Sequence, residues 1–260
     1  MTAPTSFFTT DDGTWFVGTE ATRGPWDVDA CHAGPPTAMI ARALERAVPG
    51  QRLTRVTVEL TRPIPMDGFR VETDVVRAGR SVTASRAELI DRAGDVRVRA
   101  SGLHLQPIAP TDLPTHHIPT PDLDEARPGE FPLRRSVHGE PAFGSSVETS
   151  YPPGEEPLPG PTTLWLRTPP MLPDEEPTPF QRICPLADTG NAISRNAEPD
   201  QVGFVNPDLT VVLHRDPVGE WMGSSAVSQW QPDGIGLADA LLFDRRGVVG
   251  RALQTLLLRR

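Results

Sequence analysis

The chain has 260 residues, 37% of them hydrophobic and 23% charged, so it reads as globular and long enough to bury a large core. A net charge of −9 argues against a nucleic-acid partner, which needs a basic field, but leaves room for a small anion held by a few local arginines. All 25 basic residues are Arg, which removes Schiff-base chemistry and the P-loop lysine and suggests a GC-rich coding bias.

No run of 18 apolar residues occurs, and the first twenty residues carry Asp11, Asp12 and Glu20 without a basic start or an apolar stretch. The expectation is therefore neither a membrane span nor a secretory leader, with the cytoplasm as default location. Cys31 and Cys184 are the only cysteines, too few for a disulfide framework or a metal cluster. HExxH, CxxC and GxGxxG are absent, so no metal and no redox cofactor is expected.

In chain order, Ser6–Thr10 and Thr14–Gly18 flank an Asp-Asp-Gly turn and predict a strand pair. Gly34–Val48 has apolar residues at helical spacing, two prolines near its start and Pro49-Gly50 after its end, which predicts a helix. From Leu53 to Leu105 the pattern changes to period two, broken at 63–68, 78–79 and 91–94, which predicts a four-stranded antiparallel meander. Residues 107–160 are rich in Pro, Glu, Asp and Gly and read as a linker followed by an entry strand near Ser145–Tyr151. His116 and His117 fall there as solvated residues. Beyond it come Thr162–Arg167, a helix expected over 178–196, and strands expected near 207–215, 221–230, 235–244 and 247–259.

The halves are alike. At a constant offset of 153, residues 31–96 contain fifteen identical pairs in 66 positions, among them Cys31/Cys184, Arg42/Arg195, Thr57/Thr210, Arg62/Arg215 and Asp91/Asp244. The turn residues of Asp-Arg-x-Gly recur as well, so one fold is present twice. The organisation expected is an N-terminal repeat over 1–107, a Pro-rich linker over 108–140 and a C-terminal repeat over 141–260.

The residue that needs explaining is Asp188, in Cys184-Pro-Leu-Ala-Asp188-Thr-Gly-Asn-Ala-Ile193. An acid among apolar neighbours at the expected start of a buried helix must be paired, hydrogen-bonded or functional. An N-cap role is the plainer alternative. His32 stands just before the first helix, and its repeat equivalent is Pro185, so a role for it would belong to the first half only. Pro35 occupies the place of Asp188, which leaves the first half catalytically empty. The repeated cysteines are expected to pack as small apolar groups.

Val75-Val-Arg77-Ala-Gly79-Arg-Ser81-Val with Arg86, then Leu186-Ala-Asp188, His214-Arg215-Asp-Pro-Val-Gly-Glu-Trp221 and Gln254 on the last strand resemble the type II, TesB-like acyl-CoA thioesterases. The resemblance covers nearly all of the chain outside its Pro-rich middle. It implies an α+β double hot-dog fold, two tandem copies of an antiparallel sheet wrapped around a central helix. It also implies hydrolysis of acyl-CoA to free acid and CoA by a water held between an Asp, a Thr and a Gln. Asp188 and Gln254 match two of these. Asn206 falls where the family has Thr, and Thr210 lies four residues on, facing the same side of a regular strand. A homodimer or homotetramer is implied in the same way, although two copies in one chain are compatible with a monomer.

The chemistry suits these residue types: a base takes the proton of a water held near the carbonyl carbon, and donors meet the developing oxyanion. Backbone N–H groups near Thr189 and Gly190 are placed to be such donors. Arg62 and Arg215 read first as fold residues, and Met39, Phe143 and Trp165 as residues that set acyl-chain depth. Two other functions stay in view. The Asn206 departure allows a non-catalytic acyl-CoA or lipid-binding protein, and a hot-dog hydratase or dehydratase would need a His that the second helix lacks.

Overall fold

The alternating segment beyond Leu53 forms four antiparallel strands in the computed structural model, which describes residues 6–109 and 111–259, but only the last three make a meander, and the first pairs with the last instead of with its successor. The outer bounds expected for the two repeats, residues 1 and 260, and linker residue 110 lie outside the described residues. The first half contains β1 (Phe8–Thr9), β2 (Val17–Gly18), α1 (Gly34–Ala47), β3 (Arg52–Leu60), β4 (Phe69–Arg77), β5 (Val82–Asp91) and β6 (Val96–Leu105). Two short strands follow, β7 (Arg127–Gly129) and β8 (Glu148–Tyr151). The second half contains β9 (Thr162–Arg167), α2 (Pro179–Ala187), α3 (Gly190–Ile193), β10 (Gly203–Val205), β11 (Asp208–Leu213), β12 (Met222–Trp230), β13 (Ile235–Asp244) and β14 (Gly247–Arg259).

The meanders join into one antiparallel sheet in the order β4-β5-β6-β3-β11-β14-β13-β12-β9-β8-β7, with β10 pairing farther along β14. The order reads outward from the β3/β11 seam as the same four strands in each direction. β4 and β12 begin at 69 and 222 and β5 and β13 at 82 and 235, each pair shifted by 153. At the seam Thr57 pairs with Thr210, its own repeat equivalent, and their hydroxyls lie 3.0 Å apart. A residue that faces its own copy marks the internal twofold axis. This is the double hot dog that the resemblance implied.

The helices fill the concave side. Ala38, Met39, Ile40, Ala41 and Leu44 of α1 are buried, as are Phe180, Ile183, Cys184, Leu186 and Ala187 of α2. The start of α1 meets the end of α2: a Cβ on Gly34 would lie 2.8 Å from the Pro185 Cα, so only glycine allows this approach. At the other end Glu45 accepts hydrogen bonds from Thr178 and Gln181, so the helices run antiparallel.

Three expectations change. The helix expected over 178–196 is interrupted. Thr178 caps α2 by accepting from the Gln181 N–H, and Asp188 caps its C-terminus rather than starting a helix. The Thr189 N–H and hydroxyl both turn back onto the Leu186 carbonyl, at 2.9 and 2.7 Å, which breaks the helical ladder before α3. The strand pair at 6–18 shrinks to two residues per strand because Asp12 accepts from the N–H groups of Thr14 and Trp15 and widens the turn. The middle segment is more than a spacer, since β7 pairs with β8 and Phe131 and Phe143 enter the core. No helix of the described residues is long and apolar enough to cross a membrane.

The repeated arginines diverge. In the second half Arg215 grips Asp244 with two hydrogen bonds of 2.6 Å and also binds the carbonyls of Val248 and Gly247. Burial opposes ionisation of Asp244, but the Arg215 hydrogen bonds and the N–H groups of Val218 and Arg246 outweigh it and hold the carboxyl below its ordinary range. In the first half Arg97 takes the equivalent Asp91, leaving Arg62 to pair with exposed Asp95 at 3.0 Å. In the sheet Leu89 pairs with Val98 and its copy Leu242 with Gly250, so Arg97 answers to Val249, an apolar side chain that cannot take that task.

Removing one partner of a buried pair strands the other charge, whereas an exposed pair contributes little. Arg215→Ala is therefore expected to lower stability by about 3 kcal/mol and Arg62→Ala by less than about 1 kcal/mol, measured by urea unfolding. Because the Asp244 carboxyl titrates below its unfolded value, the Asp244 contribution is present above the unfolded value and fades as pH falls through the folded one.

Candidate active site

A buried carboxylate must find its hydrogen bonds inside the protein, and Asp188 finds them on three segments. Its Oδ1 accepts from Asn206 Nδ2 at 2.9 Å and from Gln254 Nε2 at 3.0 Å. Its Oδ2 lies 3.2 Å from Nδ1 of His32, which also accepts from the Gly34 N–H at 3.2 Å, and that N–H supports the charged form of Asp188 as well. Asn206 comes from the break between β10 and β11, Gln254 from the inward face of β14, and His32 from the turn before α1. The glycine contact of α1 with α2 brings that turn from the first half onto an acid of the second.

A second tier fixes the first. Gln254 Oε1 accepts from the Asn191 N–H at 3.0 Å, which fixes the amide so that Nε2 points at Asp188. Asn191 Nδ2 donates to Asn206 Oδ1 at 3.2 Å, orienting that amide in the same way. Phe143 stacks on the His32 ring, with centroids 4.2 Å apart and planes 11° apart. His32 Nε2 has no protein partner among the described residues.

All of these side chains except that of Gln254 line a cavity of about 450 Å³, between the segment 24–33, the end of β3, Phe131 and Phe143 of the middle segment, and β10. Most of its wall is apolar, and Asp188, Asn191, Asn206 and His32 bring the polar groups. Burial pushes the Asp188 carboxyl above the ordinary carboxylate range, against the opposing charge of His32 and the donated hydrogen bonds. Burial likewise pushes the His32 imidazole below its ordinary value, against the pull of Asp188. Cys31 also lines the cavity, but burial pushes its thiol up to about 12, which removes it as a nucleophile.

The structure thus brings Asp188, Gln254 and Asn206 together. It does not bring Thr210 to them: that hydroxyl is engaged by Thr57 across the seam. The Thr189 N–H is spent on Leu186 and the Asn191 N–H on Gln254, so neither is free as an oxyanion donor. Of the three residues expected to set depth, Phe143 lines the cavity, Met39 is packed in the central core, and Trp165 packs against Phe243 elsewhere. His116 and His117 are exposed. Sequence reasoning missed His32 as the partner of Asp188 and Asn191 as the residue that orients Gln254 and Asn206. The signal for His32 was its lack of a repeated counterpart.

Comparison with known proteins shows the family. Residues 22–105 match the family model described as the acyl-CoA thioesterase N-terminal domain, and residues 110–258 match the acyl-CoA thioesterase C-terminal domain. The chain belongs to the acyl-CoA thioesterase family and is a thioester hydrolase. The tesB protein of Mycobacterium avium subspecies paratuberculosis has a similar structure at 15% identity, with 97% of this chain and 96% of that one covered and a TM-score of 0.69. The acyl-CoA thioesterase II TesB2 of Mycobacterium marinum is similar at 16% identity, with 97% and 95% covered and a TM-score of 0.66. A conserved hot-dog protein of Alicyclobacillus acidocaldarius is similar at 16% identity, with 96% and 95% covered and a TM-score of 0.72. No curated protein matches the chain.

Because the folded value of Asp188 lies above its unfolded one, ionising it costs the fold stability as pH rises through the folded value. Asp188→Asn keeps the shape and the Oδ1 acceptor without the charge. Its melting temperature at pH 7 is expected to equal or exceed that of the wild type, and the difference is expected to shrink in acid.

Proposed function

We propose that the protein hydrolyses an acyl-CoA thioester to free acid and CoA by direct attack of water, with no acyl-enzyme. The observation that carries this reading is the contact of Asp188 Oδ2 with His32 Nδ1 at 3.2 Å, on a histidine that lines the cavity and whose Nε2 is unpartnered among the described residues. A base oriented by a carboxylate, with its other nitrogen toward the substrate space, is the arrangement that activates water.

In this reading water sits between the thioester carbon and His32 Nε2. As oxygen attacks, its proton passes to Nε2 while Asp188 stabilises the imidazolium. The carbonyl electrons move to oxygen, where the unspent N–H of Asn191 Nδ2 donates. When the tetrahedral intermediate collapses, the carbon–sulfur bond breaks and the imidazolium proton goes to the thiolate, leaving a carboxylic acid and a thiol. Gln254 and Asn206 keep Asp188 aimed, and the apolar wall takes the acyl chain.

CoA release followed with a thiol reagent on short to long acyl-CoAs tests this. Asp188→Ala and His32→Ala are each expected to lose about a hundredfold or more in kcat, the size of a positioned acid–base group. Gln254→Ala should lose less, and Thr210→Val should stay within a few-fold of wild type. Binding of acyl-CoA without turnover at any chain length would make the protein an acyl-CoA binder instead. Since burial lowers the His32 value, the base is neutral below its ordinary value near 6.5, and the acid limb of kcat/KM is expected below that pH.

A further inference from the structure

The cavity lined by Asp188 also touches two arginines, Arg62 and Arg259. Arg62 is the copy that lost its structural task. Its twin Arg215 is held by Asp244 and two carbonyls, whereas Arg97 satisfies Asp91 and leaves Arg62 with only Asp95. Both members of that pair are more than half exposed, at 58% and 53%, so the pair is weak and the guanidinium is free to re-aim. Arg259 has no ion pair and no side-chain hydrogen bond among the described residues. Asp27 lines the same cavity and is occupied by the N–H of Asp29. In a chain of net charge −9, two under-used cations on one cavity are a local exception to the overall field.

Their distance from the chemistry is informative. Arg259 lies five residues beyond Gln254 on β14, roughly 17 Å along the strand. A pantetheine arm spans about thirteen bonds from its sulfur to its first phosphorus, roughly 16 Å when extended. Arg62 follows β3, two residues past Leu60, whose N–H donates to the Pro207 carbonyl next to Asn206. It therefore lines the same cavity from the strand on the other side of the β10–β11 segment. Guanidinium groups suit phosphate because they can donate two parallel hydrogen bonds.

We propose that Arg62 and Arg259 grip the phosphate end of a phosphopantetheine arm whose thioester lies at Asp188. This rests on the thioesterase reading of the site and adds the handle by which substrate is held. The shared chemistry is a phosphorylated pantetheine, offered either by CoA or by a carrier protein.

The test is steady-state hydrolysis of one acyl group carried on CoA, on 4′-phosphopantetheine and on pantetheine, by wild type and by the Arg62→Ala, Arg259→Ala double variant. Wild type is expected to favour acyl-CoA over acyl-pantetheine in KM. The double variant should raise KM for acyl-CoA about tenfold, as expected for lost charge-assisted hydrogen bonds, and bring the ratio of the two KM values toward one. A preference for CoA that survives in the double variant overturns the proposal. Acyl-phosphopantetheine behaving like acyl-CoA supports it and admits a carrier-protein source, with acyl-carrier protein as the direct comparison. Acyl-phosphopantetheine behaving like acyl-pantetheine overturns it by moving recognition to the nucleotide. Calorimetry with free CoA separates the two readings. If wild type hydrolyses no substrate but binds CoA about tenfold more tightly than the double variant, the clamp stands and the hydrolase mechanism falls. Equal binding by both proteins removes the clamp.

Discussion

The seam between β3 and β11 is the contact on which everything else depends. Each would be an exposed edge of its own half, a row of unpaired N–H and C=O groups open to another chain. Pairing them in the register that sets Thr57 against Thr210 removes both edges and makes one sheet of the two meanders. The same register decides where the helices lie, since each is carried by its own half of the sheet. It brings Gly34 onto Pro185, and with Gly34 comes His32. The Asp188–His32 contact is therefore a product of the seam, and neither half could build it alone.

Duplication with divergence explains why the chain has one such site. The twofold axis offers each residue a mirror position, but the occupants differ: Asp188 faces the place of Pro35, His32 that of Pro185, and Asn206 that of Leu53. Proline and leucine can fill space and cannot hold a proton. The half that lost the acid kept the fold and supplies the histidine and much of the cavity wall. The arginines followed the same course, with Arg215 retained by Asp244 and Arg62 released by Arg97.

The repeat, the strands and Asp188 were legible in the sequence because they rest on local pattern, whereas Gln254 and Asn206 came only through the family resemblance. Alternation marks strands, identical pairs at a fixed offset mark the duplication, and an acid among apolar residues stands out. The meander strands β5 and β13 begin and end where the alternation and the Asp-Arg-x-Gly turns place them. What was not legible depends on contacts across the axis. His32 reaches Asp188 from a segment 156 positions away in sequence, and no local pattern encodes that meeting. Thr210 looked suitable because strand parity put it on the same face as Asn206, but the seam claimed its hydroxyl first. The helix break after Asp188 was missed although Pro185 and Gly190 flank it, because the turn of the Thr189 N–H and hydroxyl back onto Leu186 leaves the apolar spacing unbroken.

Asp188 shows what such a site costs and why the surrounding fold is stiff. An ionised carboxylate with 4% exposure is disfavoured by burial, and donors from β14, the β10–β11 break and the turn before α1 offset that only together. Each donor is itself fixed by a further bond: Gln254 and Asn206 by Asn191, and His32 by the Phe143 stack. A shift in any one segment would weaken several of these contacts at once. Burial disfavours the charged form of Asp188 and of His32 alike, and the 3.2 Å contact between them opposes that in both, so each group's protonation depends on the other staying in place.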